Sequence, residues 1–131
     1  MTAAEALAAI LAMLSHVLHA ECIARRREEI VADADAASRE HGVPVRLLLA
    51  VGLLESHWGC APASGGCWGA PRDRDHRHSA GRASHAASAL ALGHRRCRTW
   101  RGAVSHFRCG ACVCQGRERY VRNVMRIGGE R

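Results

Sequence analysis

The side chains best placed for chemistry fall into two groups. One is a glutamate on an apolar stretch, Glu55, followed by Ser56. The other is a set of seven cysteines: Cys22, Cys60, Cys67, Cys97, Cys109, Cys112 and Cys114. Glu55 lies near the end of VPVRLLLAVGLLESHWG, Val43 to Gly59. Within it Leu47, Val51 and Leu54 recur at helical spacing, and Leu48 and Leu49 widen the buried arc. Glu55 follows Val51 and Gly52 by one helical turn, so its carboxyl leaves from the apolar face. A carboxyl group taken out of water is costly unless it is paired or protonated, and a general acid needs the protonated form. The plainer reading is that the helix frays toward Gly59 and Glu55 simply reaches solvent.

Seven cysteines in so short a chain imply either an oxidising compartment with disulfides or a metal site. Cys60 and Cys67 bracket the start of a Gly- and Pro-rich stretch and could staple it. Disulfides joining Cys97 to the cluster Cys109, Cys112 and Cys114 are the reading taken for the rest. Zinc on that cluster, helped by His94 and His106, is the competing one, but structural zinc usually takes two separated ligand pairs. No metal and no cofactor are expected.

The elements that must position these groups are helical. Apolar content is 48% and aromatic content only 4%, so the core has to be built from Ala, Leu and Val. Residues 2–20 are rich in Ala and Leu, with Thr2 and Glu5 spaced for a capping box. This run is too short and interrupted for a membrane span, although it could be a divergent export signal. A second helix, Glu21 to His41, keeps Ile23, Ile30, Ala34 and Ala37 on one face; Gly42 stops it and Pro44 starts the next. Between Cys60 and Ala83 no period runs, which predicts a long irregular loop. Order is expected to return at Ser84 in a helix that Gly93 ends. A helix capped by Thr99 carries Trp100, Ala103, Val104 and Phe107 inward until Gly110, and a last one runs from Arg117 to Ile127. The expectation is all-α: an N-terminal apolar helix over 1–20 and one domain over 21–131.

Net charge is +7, and every basic residue is arginine. Such a balance favours an anionic partner. The arginines are spread along the chain rather than gathered on one recognition helix, so a nucleic-acid partner is not expected, and the chain is read as a monomer.

The order of these pieces resembles the lytic transglycosylase domain of the soluble-transglycosylase type, with its lysozyme-like fold. LLAVGLLESHWG resembles that family's catalytic helix with its Glu-Ser pair, which puts Glu55 and Ser56 in place. Ser64 follows Glu55 by nine residues, as a substrate-contacting serine does in the family. GCWGAP, Gly66 to Pro71, resembles its Gly-Ala-x-Gly-Leu-Met-Gln loop. AVSHFRCG, Ala103 to Gly110, is similar to its Ala-x-Ala-Ala-Tyr-Asn-Ala-Gly, and YVRNVM, Tyr120 to Met125, to its closing Tyr-Val helix. Arg72 stands where the family has glutamine, and Phe107 where it has the tyrosine whose hydroxyl steers the catalytic carboxyl. Tyr120 is the candidate to supply that hydroxyl instead.

The resemblance implies cleavage of peptidoglycan glycan strands at the MurNAc-GlcNAc β-1,4 bond. Glu55 would act first as acid and then as base, leaving 1,6-anhydro-muramyl ends. It also implies a periplasmic or secreted setting, with a phage-borne origin equally suitable, and substrate contacts from Ser56, Ser64, Gly66, Trp68, Phe107 and Tyr120. Trp58, Trp68 and Trp100 are the rings that could stack on sugars; Trp68, in the loop, is the best placed of them. Two alternatives stay close. A hydrolase would need a second carboxylate, for which Asp73 and Asp75 are available. A relative that binds glycan without cutting it would fit Phe107 and Arg72. A basic, Cys-rich zinc or nucleic-acid module is the reading from another class.

Overall fold

Helix α1 (Ala3–Met13) starts where the sequence offers a cap. The Thr2 hydroxyl accepts from the Glu5 amide and the Glu5 carboxylate accepts from the Thr2 amide, each at 3.1 Å. Among the described residues, five further helices follow: α2 (Ala20–His41), α3 (Val45–Ser56), α4 (Ser79–Cys97), α5 (Trp100–Cys109) and α6 (Glu118–Ile127). The computed structural model describes residues 1–61, Trp68 and 79–129, and among the described residues there is no strand. The protein is all-α. Ser64, Gly66 and Cys67, with Asp73 and Asp75, lie outside the described residues.

Gly42 ends α2 in the left-handed region at φ 68°, and its amide donates to Ser38 O at 2.9 Å. Pro44 then caps α3. This helix runs through the middle of the fold, against α1, α2, α4 and α6. Leu47, Leu48, Leu49, Ala50, Val51 and Leu53 are all buried, so α3 is covered on more sides than a single apolar stripe provides, while Leu54 is half-buried. Each such leucine or valine contributes roughly 1.5–3 kcal/mol over its exposed state. Arg46 fixes the start of α3 by donating to Ile127 O at the end of α6, at 2.9 Å. Ala6, Leu7 and Ile10 of α1 belong to the same core, so the N-terminal helix packs as part of the domain that follows it.

Three boundaries differ from the sequence expectation. The N-terminal helix expected over 1–20 stops at Met13, where Leu14 leaves in an extended conformation, and helix resumes only at Ala20. Helix α4 begins at Ser79, ahead of Ser84, and runs through Gly93 to Cys97. Gly93 is a packing residue and not a stop: a Cβ there would lie 3.0 Å from Ala103 Cα and O. Its bare backbone lets α5 press directly against α4. Helices α5 and α6 fall where expected, with the Thr99 hydroxyl accepting from Gly102 N at 3.0 Å and Gly110 closing α5.

Among the described residues, three disulfides tie these elements together. Cys97 joins the cluster through Cys112, as expected, and Cys109 pairs with Cys114 within it, a connectivity the sequence left open. All four sulfurs are therefore unavailable as zinc thiolates. Cys60 pairs with Cys22, not with Cys67, because the chain leaving α3 turns back onto the first turn of α2. Among the described residues no helix is long and apolar enough to cross a membrane.

Candidate functional site

Glu55 sits in the last turn of α3, and that end does not fray. His57, Trp58 and Gly59 follow in the left-handed region at φ 50°, 55° and 86°. Two such residues with side chains cost of order 1–3 kcal/mol each and persist only where the surroundings hold them. Here the hold is clear. The Trp58 indole is fully buried and donates to Leu49 O at 3.1 Å. Arg26 of α2 donates to Trp58 O. The Cys22–Cys60 disulfide closes the same turn, and the His57 ring packs edge-on against His19 with centroids 5.4 Å apart. Burial first, and His19 second, hold the His57 imidazole below its ordinary value.

Gly52 explains how two indoles fit beside this helix. A Cβ there would come within 2.7 Å of both Trp58 Cδ1 and Trp68 Cε3. Glycine inside a helix costs roughly 0.5–1 kcal/mol relative to alanine, and the space it leaves is what admits the rings. Trp68 is accordingly buried against α3. Its placement as a sugar-stacking ring is overturned: the ring packs in the core and has no free face. The same holds for Trp58. Trp100 stacks on His94, with centroids 3.9 Å apart, in keeping with its expected structural role.

Ser56 is also reassigned. It is buried, and its hydroxyl accepts from the Gly59 amide at 2.9 Å, so it closes the turn and does not face a ligand. Phe107 is half-buried against the core.

Tyr120 completes the site. From α6 its phenol donates to Glu55 Oε1 at 2.6 Å. Burial, and then the adjoining carboxylate, push this phenol well above its ordinary value, so it stays protonated and remains a donor. The other carboxylate oxygen, Oε2, faces Arg108 Nη1 at 3.5 Å. Arg108 in turn lies over the Tyr120 ring, 4.9 Å from its centroid. Three elements thus converge: α3 brings the acid, α6 the phenol and the last turn of α5 the guanidinium. The Glu55 side chain is 14% exposed and that of Arg108 37%, so the cluster opens to solvent on the arginine side.

Arg108 is the residue that sequence reasoning passed over. It lies inside AVSHFRCG, directly after Phe107, but only the tertiary structure, which packs α5 on α4 and α6, brings its side chain to Glu55 at the end of α3. With both oxygens engaged by donors, the Glu55 carboxyl is held in one orientation. Ser64 and Gly66, the other residues expected to contact substrate, lie outside the described residues. No family model matches the sequence, and no curated protein and no solved structure gives a match.

Proposed function

We propose that this protein is a peptidoglycan lytic transglycosylase acting on the MurNAc-GlcNAc β-1,4 bond. The observation that carries the reading is the 2.6 Å hydrogen bond from Tyr120 to Glu55. It supplies, from a different helix, the steering hydroxyl that Phe107 lacks. In this mechanism the protonated Glu55 carboxyl gives its proton to the glycosidic oxygen as the C1–O bond breaks. The resulting carboxylate then takes the proton of the muramyl 6-hydroxyl as that oxygen bonds to C1. Glu55 ends as it began, and no water is consumed. Ordinary glycosidases divide these tasks between two carboxyl groups. Among the described residues, the groups bonded to the Glu55 side chain are a phenol and a guanidinium, which suits the single-carboxyl route. Three disulfides agree with a periplasmic or secreted location, where this polymer is found.

The test is mass spectrometry of fragments released from purified sacculi by the wild type and by Glu55→Gln, in oxidising buffer. Anhydro-ended muropeptides from the wild type alone are expected. Reducing ends would move the mechanism to hydrolysis, and no fragments from either protein would leave a glycan-binding relative.

A further inference from the structure

Among the described residues, Arg108 makes little use of its donors. Its contact to Glu55 Oε2, at 3.5 Å, is at the outer limit of a hydrogen bond, and its guanidinium is otherwise steadied by the face of Tyr120. A guanidinium presents five N–H donors in a fork that matches a carboxylate. With its side chain 37% exposed, this fork borders the open side of the Glu55 cluster.

We infer that Arg108 is a specificity residue that reads a carboxylate on the substrate beside the bond being cut. The inference rests on the peptidoglycan reading and narrows it to a substrate class. A muramyl residue carries a lactyl group on C3 of the ring whose C1 is attacked. That group is an amide when the stem peptide is attached and a free carboxylate when the peptide has been removed. The preferred substrate is therefore the peptide-stripped glycan strand. A bidentate Arg–carboxylate contact forms at about 2.7–2.9 Å, so an arriving lactyl carboxylate displaces the looser contact to Glu55. Oε1 remains engaged by Tyr120. The oxygen that Arg108 leaves, Oε2, is then the one free to carry the proton for the glycosidic oxygen.

The experiment compares three substrates prepared from the same sacculi. These are intact strands, strands stripped of stem peptides by an amidase, and stripped strands whose lactyl carboxylates have been converted to simple amides. Wild type is expected to cleave the stripped strands with a kcat/KM about tenfold or more above the other two, mainly through KM. Arg108→Gln should level the three, and Arg108→Lys should restore part of the preference, since lysine keeps the charge but not the fork. Equal rates on stripped and amidated strands, or a preference that survives in Arg108→Gln, would overturn the inference and leave the transglycosylase reading standing. The amidated substrate makes this decision on wild type alone, whatever the variants do to folding. If wild type cleaves none of the three, the parent reading fails. Calorimetric binding of stripped and amidated strands to wild type then decides the inference: a tenfold preference for the stripped strand upholds it, and equal binding ends it.

Discussion

Tyr120 Oη and Glu55 Oε1 lie 2.6 Å apart, joining residues separated by 65 positions in the sequence. The phenol, kept protonated by burial and by the carboxylate itself, is a fixed donor to Glu55. Removing it in Tyr120→Phe leaves a half-buried carboxylate oxygen without its partner. A hydrogen bond to a charged group is worth about 1.5–3 kcal/mol, so kcat on sacculi should fall roughly 10- to 100-fold. KM should change little, because the phenol acts on Glu55. An unchanged kcat in a folded variant would show that Tyr120 does not position the acid.

Gly52→Ala sets a small helix-propensity gain against a direct collision. The added methyl would meet Trp58 Cδ1 and Trp68 Cε3 at 2.7 Å, and both indoles are buried with nowhere to retreat. Overpacking of this kind costs about 1–3 kcal/mol. Urea denaturation should show a lower midpoint at unchanged slope, with a loss of activity because Glu55 lies one turn further along the same helix.

The disulfides should separate stability from activity. Cys22–Cys60 closes a span of 38 residues, and the chain-entropy model gives about 4 kcal/mol for it. Cys109–Cys114 spans only 5, which gives about 2 kcal/mol. Cys109 nevertheless adjoins Arg108, and the segment it anchors leads to the helix bearing Tyr120. The Cys22→Ser/Cys60→Ser variant should therefore be the less stable in denaturant. The Cys109→Ser/Cys114→Ala variant should lose more activity than its stability predicts, by about tenfold, since small misplacements of catalytic groups are costly.

His57 gives the fold a dependence on pH. Its imidazole is held below the ordinary value of about 6.5 by burial and by His19, so the folded state binds fewer protons there than the unfolded chain. The contribution of the neutral ring is complete above about pH 6.5 and is lost as the pH falls from there toward the lower folded value. Denaturation curves at pH 7.5 and pH 5 should show wild type weakening more at pH 5 than His57→Asn. Asparagine tolerates the left-handed backbone at this position but does not titrate.

What the sequence determined by itself was whatever depends on neighbours along the chain. The Thr2–Glu5 capping box, the Gly42 and Gly110 stops, the Thr99 cap and the all-α class follow from local hydrogen bonding and from apolar residues at helical spacing. Gly93 marks the limit of that reasoning: a stop signal by local rule, it lies inside α4 because Ala103 of another helix needs its empty face. Tertiary structure alone decided the rest. Trp68, placed by its loop position as the best candidate to stack on a sugar, is buried, since Gly52 on α3 leaves it a slot. Ser56 was spent on the turn that pins its helix, and Cys60 found Cys22 because that turn folds back on α2. Glu55 could be singled out from a single helix. Tyr120 was named as its hydroxyl partner only through the resemblance and Arg108 not at all, because contacts between side chains depend on how α3, α5 and α6 are placed in space, which no local period encodes.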